Sequence, residues 1–239
     1  MLPVAVLAGG LATRLQPLTH QIPKALIEVR GEPFVAHQLR LLKARGIQRV
    51  VMCVGFLGDQ VRSFVGNGSR FGLDVQVCFD GPRLLGTAGA LRAALPLLGD
   101  SFFVLYGDSY LPCDYVAVQS AFQSSGQAAL MTVFRNEDRW DRSNIEFVHG
   151  VIARYDKRSP SPGMRHIDYG LGVLSRRAIE LAPEGRPYDL ALVYQRLLER
   201  AELAGYEVAE RFYEIGSWDG IRELTDYLSR HAVPVEEPR

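Results

Sequence analysis

The chain has 239 residues, a length that favours one domain with a single sizeable core. Lysine plus arginine and aspartate plus glutamate both number 27, so no net charge attracts nucleic acid or an anionic membrane, and any bound anion needs a local site. The opening MLPVAVLAGG has no basic leader, and the apolar runs are shorter than the roughly 18 residues of a membrane span. We therefore expect a cytoplasmic protein with neither nucleic-acid nor membrane partners.

The cysteines and histidines do not follow the spacing of a metal cage or a disulfide framework. Cys53, Cys78 and Cys113 are widely separated and lie in apolar surroundings, and the five histidines show no ligand spacing. This pattern predicts reduced thiols in the core and packing roles for the histidines.

Short apolar runs alternate with segments of helical period over the first half of the chain. The alternation is typical of the α/β class, here a Rossmann-like, mostly parallel sheet flanked by helices. The predicted strands lie at 4–7, 49–54, 74–79, 102–106 and 129–134.

Two helices in this half carry boundary signals. One is predicted to have Pro33 in its first turn and to end at Gly46. The other is predicted to follow Thr87 as its N-cap, because apolar residues recur at helical spacing over 91–98.

The pattern changes near residue 135, where a small β lobe is inserted. The segment SNIEFVHGVIARYDK predicts two short strands joined by a turn at His149-Gly150. The elements predicted after it are a strand near 165–174, a helix near 188–203, a strand near 206–214 and a helix near 217–230. We divide the single domain 1–239 into a core of about 1–135, a lobe with its returning strand of about 136–215, and a C-terminal helix of about 216–231.

In open α/β sheets ligands bind beyond the carboxyl ends of the strands, so the residues that follow each strand are the first candidates. Gly9 and Gly10 follow the first strand, where the missing side chains would let backbone N–H groups approach an anion. A bare glycine pair is more often a tight turn, but Arg14 and Lys24 add two nearby cations and favour a polyphosphate ligand. The loop is neither a Walker A motif nor a GxGxxG dinucleotide fingerprint.

Carboxylates follow two other predicted strands. Asp108 comes directly after the run FFVLYG, where it could share Mg²⁺ with substrate phosphates or cap a turn. Glu214 and Asp219 end or follow the strand near 206–214, and either could be a second metal carboxylate, although Asp219 also suits the first turn of a helix.

The segment LLGTAGALRAAL, 84–95, begins a helix with small residues. Gly86 and its neighbours could let a flat base or a sugar approach the backbone, or could serve close packing of the helix on a strand. The residues by themselves leave these alternatives open.

Taken in order, LAGGLATRL, IPKALIEV, GNGSRFGL, LLGTAGAL, LYGDS and FYEIGS resemble the motifs of the sugar-1-phosphate nucleotidylyltransferases, from residue 2 to about residue 230. Within that family the chain looks most similar to short members that use heptose 1-phosphate with GTP or N-acetylmuramate 1-phosphate with UTP. The resemblance implies a mixed, mostly parallel sheet with a small inserted lobe that binds the sugar.

The resemblance also implies roles for individual residues. The nucleotide would lie against Leu7, Ala8, Gly9, Gly10, Gly86 and Thr87. The sugar phosphate would lie against Asn144, Asp156, Lys157 and Gly170. Arg14 would grip the part of the triphosphate that leaves as pyrophosphate, Lys24 would contact the reacting phosphate, and Asp108 with Glu214 would hold Mg²⁺.

The chain departs from the family pattern at the second metal contact and in the sugar pocket. Glu214 stands in Glu-Ile-Gly where many relatives have Asp-x-Gly, so the carboxylate of this chain is on a side chain that is one methylene longer. Asp156 and the pair Ser143-Asn144 stand where relatives that use glucose 1-phosphate often carry glutamate and an aromatic-glycine pair, which favours another sugar.

These inferences predict an enzyme that transfers a nucleoside monophosphate from a nucleoside triphosphate to a sugar 1-phosphate. Guanylyl transfer to a heptose or mannose-type 1-phosphate is the first choice, and uridylyl or thymidylyl transfer to a hexose or N-acetylmuramate 1-phosphate is the alternative. The rivals are a non-catalytic nucleotide-binding regulatory subunit and a cytidylyltransferase that acts on a non-sugar phosphate. A sheet edge or the C-terminal helix could pair subunits in a homo-oligomer.

Overall fold

The computed structural model describes residues 1–10, 15, 17–159 and 161–231. The strands in chain order are β1 (Val4–Leu7), β2 (Glu28–Val29), β3 (Glu32–Pro33), β4 (Arg49–Val54), β5 (Asp74–Phe79), β6 (Ser101–Tyr106), β7 (Ser109–Tyr110), β8 (Ala129–Arg135), β9 (Ile145–Val148), β10 (Val151–Tyr155), β11 (His166–Ser175), β12 (Leu203–Val208) and β13 (Tyr213–Glu214). The α-helices are α1 (Phe34–Ala44), α2 (Gly58–Val65), α3 (Gly86–Leu98), α4 (Tyr115–Ser125), α5 (Arg176–Ile179), α6 (Leu190–Glu199) and α7 (Trp218–Arg230).

Nine of the described strands form one mixed sheet. Its strands β5, β4, β1 and β6 are parallel neighbours in that order, β11 then runs antiparallel to β6 and to β8, and β12 is parallel to β8. The hairpin of β9 and β10 joins the sheet at the first residue of β11. The predicted α/β class with a mostly parallel, Rossmann-like sheet is confirmed.

Both faces of the sheet are covered by helices. Val4 and Val6 of β1 are completely buried against the cluster that includes α1, α2 and α4, whereas Ala5 is completely buried on the side of α3, α5 and α6. Successive residues of a strand point to opposite faces, so a strand buried on both faces is an unbroken apolar run. This explains why the apolar runs of the sequence predicted the central strands.

A third apolar cluster lies under α7. Leu224 and Leu228 of α7 pack with Ile27, Val29 and Phe34, which follow the glycine-containing first loop. Close by, β7 and β13 form a separate two-stranded ladder. The C-terminal helix therefore fixes the segment that carries Lys24.

Several predicted bounds are confirmed. The strands at 4–7, 49–54 and 74–79 begin and end where the sequence pattern placed them. The turn between β9 and β10 is at His149 and Gly150, both with positive φ, as two-residue hairpin turns require. Gly46 also has positive φ and follows the end of α1.

The predicted strand at 206–214 is wrong in its bounds. β12 spans Leu203–Val208, and Tyr213–Glu214 is a separate strand that pairs antiparallel with β7. β12 pairs in parallel with β8, and Val208 lies opposite Phe134, one residue before β8 ends. With no further partner strand, the chain leaves the main sheet at that point.

The predicted capping role of Thr87 is also wrong. α3 begins at Gly86 with Leu85 as N-cap, so Thr87 lies inside the first turn. Its hydroxyl instead accepts a hydrogen bond from the N–H of Leu190 at 2.7 Å, at the start of α6. The predicted helix at 188–203 is shorter, Leu190–Glu199, because Asp189 caps its beginning.

The thiols of Cys53, Cys78 and Cys113 are free, in agreement with the predicted reduced state. Across the part of the chain that the structure describes, no helix has both the length and the apolar character to cross a membrane.

The start of α7 gives a test of the packing. A Cβ added to Gly220 would overlap the carbonyl oxygen of Glu214. We expect Gly220→Ala to lower the free energy of unfolding by about 1–3 kcal/mol, because α7 must move away from β13. Thermal unfolding should be compared with Ser229→Ala, an exposed position of the same helix, where the change should stay within about 0.5 kcal/mol. Equal unfolding temperatures for the two variants would contradict this packing.

Candidate active site

The carboxyl ends of β1, β4 and β6 and the beginning of α3 enclose a cavity of about 300 Å³. The residues predicted from the sequence that line it are Leu7, Ala8, Gly9, Gly10, Lys24, Gly86, Thr87 and Asp108. The topology therefore brings together residues that are up to about 100 positions apart, at the edge of the sheet where ligands of such folds bind.

The two glycines after β1 have different surroundings. A Cβ added to Gly9 would lie 3.0 Å from the backbone nitrogen of Gly55, so this glycine allows the loop to pack on the loop after β4. A Cβ added to Gly10 would have nothing within 4 Å. Gly10 is therefore the position where the backbone is open to a ligand.

Gly86 and Gly89 serve close packing of the protein on itself. A Cβ on Gly86 would lie 2.8 Å from the carbonyl oxygen of Tyr188, and one on Gly89 would lie 2.8 Å from that of Arg186. The N–H of Ala88 donates to Tyr188 at 2.9 Å. The segment before α6 thus occupies the first amide groups of α3, so these glycines serve close packing, with this segment as the partner in place of the predicted strand.

Lys24 meets Asp108 at the edge of the cavity. Nζ of Lys24 lies 2.6 Å from Oδ2 of Asp108, and their side chains are 21% and 31% exposed. Lys24 begins the short 3₁₀ turn Lys24–Leu26. In this turn the N–H of Leu26 donates to the carbonyl of Pro23. Ser109 donates to the other carboxylate oxygen of Asp108 at 3.3 Å.

The backbone holds Asp108 at the end of β6. Gly107 donates to the carbonyl of Leu7 at 2.9 Å, and a Cβ on Gly107 would lie 2.7 Å from that oxygen. The N–H of Ile215 donates to the carbonyl of Asp108 at 3.0 Å. A larger residue than glycine at 107 would push the turn, and Asp108 with it, away from β1.

Glu214 lies on the cavity side of β13 and Asp219 does not. Glu214 pairs with Ser109 across the ladder of β7 and β13. A Cβ added to Gly216 would lie 3.4 Å from Nζ of Lys24 and 3.7 Å from Oε1 of Glu214, so both side chains converge on that glycine. Asp219 is 79% exposed and pairs with Arg222 on the surface of α7.

The donor set at this edge suits a magnesium ion that is shared with substrate. Asp108 and Glu214 supply carboxylate oxygens from neighbouring backbone positions. Within the described ranges no group of three or more histidine, cysteine, aspartate or glutamate residues is arranged to hold a metal ion. Mg²⁺ commonly takes one or two protein carboxylates and completes its octahedron with phosphate oxygens and water, so two carboxylates fit.

Lys157, a predicted lobe residue, lies close to a wall of the cavity. Its Nζ lies 3.1 Å from Oδ2 of Asp168 and 5.4 Å from the ring centre of Tyr106, which lines the cavity. Burial by itself would lower the pKa of Lys157, but the charge of Asp168 outweighs it and the pKa lies above its usual value. Lys157 is therefore held as a cation at the junction of lobe and core.

Gly170 lies beside the same tyrosine. Its φ is +98°, and a Cβ there would lie 3.4 Å from Cδ2 of Tyr106. Its N–H donates to Asp168 at 3.1 Å, within an irregular stretch of the pairing between β11 and β8. The glycine lets this strand pass close to the wall of the cavity.

Asn144 and Asp156 are engaged with the lobe's own backbone. Oδ1 of Asn144 accepts from the N–H of Asp168 at 3.0 Å. The carboxylate of Asp156 accepts from the N–H groups of Ser159 and Arg158, which lower its pKa. Asp156 thus orders the loop that presents Lys157, and Asn144 ties the start of the lobe to β11.

Arg14, the predicted contact of the leaving pyrophosphate, lies outside the described residues. Tyr106 and Asp80 are among the cavity residues that were not predicted from the sequence. Asp80 directly follows β5, so the rule that selected Asp108 from its place after a strand would also have found it.

Asp80 is a half-buried carboxylate on the wall of the cavity. Its Oδ2 accepts from the N–H of Leu85 at 3.1 Å, and a Cβ on Gly9 would lie 3.5 Å from the same oxygen. Burial raises the pKa of Asp80, and the Leu85 N–H partly offsets the rise.

Known proteins share this fold and these motifs. The family model described as Nucleotidyl transferase matches residues 4–154. The UTP–glucose-1-phosphate uridylyltransferase of Synechocystis sp. is 26% identical over 98% of this chain and 65% of its own length. The N-acetylmuramate alpha-1-phosphate uridylyltransferase of Neisseria meningitidis serogroup B is 36% identical over 50% of this chain and 51% of its own length. The chain thus spans about half to two thirds of the length of these curated relatives.

The crystal structure of HddC from Yersinia pseudotuberculosis complexed with GMP-PN has a TM-score of 0.80 at 22% identity, and the match covers 95% of this chain and 100% of that chain. This likeness shows a common fold. Since the family model covers more than half of the sequence, the chain belongs to the nucleotidyl transferase family.

Proposed function

We propose that the protein transfers a nucleoside monophosphate from a nucleoside triphosphate to a sugar 1-phosphate, giving an NDP-sugar and pyrophosphate. The observation that carries this proposal is the contact of Lys24 with Asp108 at the edge of the glycine-bordered cavity. A cation beside a metal-type carboxylate at this edge would suit the phosphates of an incoming triphosphate. The names of both curated relatives describe transfer to a sugar 1-phosphate, which supports it further.

In the proposed reaction one oxygen of the sugar phosphate attacks the α-phosphorus of the triphosphate. A new P–O bond forms as the bond from the α-phosphorus to the bridging oxygen of the β-phosphate breaks, and pyrophosphate leaves with that oxygen. No covalent enzyme intermediate is required. Two anions must approach each other, so catalysis consists mainly of alignment and charge neutralisation.

The residues of the site divide these tasks. The backbone at Ala8 to Gly10 would face the nucleotide phosphates, Lys24 would contact the phosphate that is attacked, and Arg14 would contact the departing pyrophosphate. Lys157, held as a cation by Asp168, would attract the phosphate of the sugar. A compact ammonium fits between two phosphates, which suits the lysine at position 24.

Asp108 and Glu214 would hold Mg²⁺. Bound there, the ion would neutralise phosphate charge as the bond to the leaving group breaks. The contact between Lys24 and Asp108 also keeps the lysine close to a carboxylate that would hold the ion.

We assign the base as guanine because of Asp80. Guanine offers adjacent N1–H and N2–H donors that one carboxylate can accept together, whereas uracil and thymine offer a single N3–H between two carbonyl oxygens. A carboxylate on the wall of the cavity therefore favours guanine. The names of the two curated relatives favour uridylyl transfer as the second candidate.

The acceptor in this assignment is a heptose or mannose-type 1-phosphate. Asp156 and Asn144 differ from the residues of many glucose 1-phosphate users; in this chain Asp156 orders the lobe loop and Asn144 bonds to β11. A cytoplasmic location and a homo-oligomeric state stay predictions of the sequence.

A substrate matrix tests the reaction and its specificity. GTP, UTP, dTTP, ATP and CTP should each be combined with heptose, mannose, glucose, N-acetylglucosamine and N-acetylmuramate 1-phosphates, with pyrophosphate release as the readout. We expect the highest kcat/KM with GTP and a heptose or mannose-type acceptor. Nucleotide binding without pyrophosphate release in any combination would support the regulatory alternative instead.

Lys24 and Asp108 should be indispensable for turnover but not for folding. We expect Lys24→Ala and Asp108→Asn to lower kcat by about 100-fold or more. Their unfolding temperatures should change little, since a partly exposed ion pair contributes about 0–1 kcal/mol. Lys24→Arg should also impair turnover, because a broad planar guanidinium replaces a compact charge.

The matched controls for these variants are Lys43→Ala and Asp100→Asn. Lys43 bonds to the Gly72 carbonyl at an exposed position, and Asp100 is 99% exposed. Both controls should keep normal kcat. Near-normal pyrophosphate release by Lys24→Ala or Asp108→Asn at saturating Mg²⁺ would exclude the proposed roles.

Asp80→Asn tests the choice of base. An amide lacks the second acceptor for the guanine donors, so the ratio of kcat/KM for GTP to that for UTP should fall by about 10-fold or more. Asp59→Asn, at an exposed position beside Arg62, should leave the ratio unchanged. An equal loss with GTP and UTP would mean that Asp80 acts on the ribose or on folding and not on the base.

A further inference from the structure

Gln38 is a buried amide on α1, in the middle of an apolar layer. The residue is 1% exposed, and its neighbours Val35, Leu39 and Leu42 on the same helix are completely buried. Burial of an amide is unfavourable unless it is hydrogen-bonded, and a methionine would fill a similar volume. The buried amide of Gln38 therefore needs hydrogen-bond partners that an apolar side chain could not serve.

Nε2 of Gln38 donates two hydrogen bonds to the turn that carries Asp108. The distances are 3.0 Å to the carbonyl of Tyr106 and 2.8 Å to the carbonyl of Ser109, one on each side of Gly107-Asp108. Oε1 of Gln38 has no hydrogen-bond partner within the ranges that the structure describes. The opposite amide orientation would place Oε1, an acceptor, against the two carbonyl oxygens, which are also acceptors. The contacts therefore identify the nitrogen as the atom that faces the turn.

Two backbone hydrogen bonds also restrain this turn. Gly107 donates to Leu7, and Ile215 donates to the carbonyl of Asp108. Gln38 adds a connection from both ends of the turn to a helix that is locked in the core. Together these bonds limit the directions in which the carboxylate of Asp108 can point.

We propose that Gln38 is a positioning residue, which fixes the turn 106–109 and thereby the direction of the Asp108 carboxylate towards Lys24 and the phosphates. The inference rests on the proposed function in so far as Asp108 acts on the reacting phosphates. Removal of a group that orients a metal ligand typically lowers activity or metal affinity by about 10- to 100-fold. A displacement of about 1 Å can have an effect of this size.

Gln38→Met tests the proposal, because it keeps most of the volume and removes both donors. Its matched control is Gln119→Met on α4, where the half-buried amide accepts from the N–H of Leu2 at 2.8 Å, away from the cavity. We expect Gln38→Met to lower kcat by about 10- to 100-fold and to raise the Mg²⁺ concentration needed for half-maximal rate. The KM for the triphosphate should change little, since the loss is one of alignment. Gln119→Met should behave as the wild type.

Hydrogen–deuterium exchange on the ligand-free protein supplies a readout that does not depend on activity. The amides of Gly107 and Ile215 are bonded to Leu7 and Asp108 and should exchange faster in Gln38→Met than in the wild type. The same amides should be unchanged in Gln119→Met, even if the two variants have similar unfolding temperatures.

Gln38→Glu gives a second test within one folded protein. The introduced carboxyl, when neutral, can donate to one of the two carbonyls, whereas its ionised form repels both. Burial raises the pKa of such a carboxyl, so the ratio of the variant's kcat to the wild-type kcat should fall as the pH rises from about 5.5 to about 8. A merely structural role would leave this ratio independent of pH while circular dichroism shows a folded chain.

Wild-type kcat together with wild-type exchange at Gly107 and Ile215 in Gln38→Met would overturn the proposal. An equal loss of kcat in Gln119→Met would do the same, since it would show a general effect of destabilisation. If the wild-type chain releases no pyrophosphate with any substrate pair, the proposed function fails. The exchange rates then decide by themselves whether Gln38 fixes the turn.

Discussion

The active edge of the sheet depends on the close contact of two parallel strands, β1 and β6. Gly107 continues β6 and bonds to the carbonyl of Leu7, and the space between them is too small for a Cβ. The chain can therefore turn immediately after β6 without separating from β1. This turn presents Asp108 beside the segment that follows β1, so the strand pairing itself decides where the carboxylate meets Lys24.

Lys24 reaches Asp108 because a separate apolar cluster holds its segment in place. Ile27 and Val29, just beyond Lys24, pack with α7, and Ile215 belongs to the same cluster. Ile215 also bonds to the carbonyl of Asp108. The C-terminal helix thereby couples the lysine, the Asp108 turn and β13 through apolar packing, so the geometry of charged groups is set by residues that carry no charge.

The lobe is joined to the core by an ion pair between a buried carboxylate and a partly exposed lysine. Asp168 has a side chain that is 6% exposed, and it contacts Lys157 and accepts hydrogen bonds from Tyr155 and Gly170. Buried charges are tolerated when they are paired and their remaining hydrogen bonds are satisfied. The pair holds the ammonium of Lys157 beside Tyr106, so the junction of lobe and core lies at a wall of the cavity.

Local signals in the sequence determined the α/β class, the buried central strands and the candidates Lys24 and Asp108, because apolar period and strand-end position are properties of neighbouring residues. Tertiary structure decided the rest. Glu214 lies near Lys24 because β13 pairs with β7, whereas Asp219 lies on the surface of α7, and the close packing of Gly86 depends on Tyr188, about 100 residues away. Asp80 and Tyr106 join the cavity, and Gln38 reaches its two carbonyls, only because separate segments meet at one edge of the sheet. Contacts between distant segments leave no local periodicity, and so they could be read only from the folded chain.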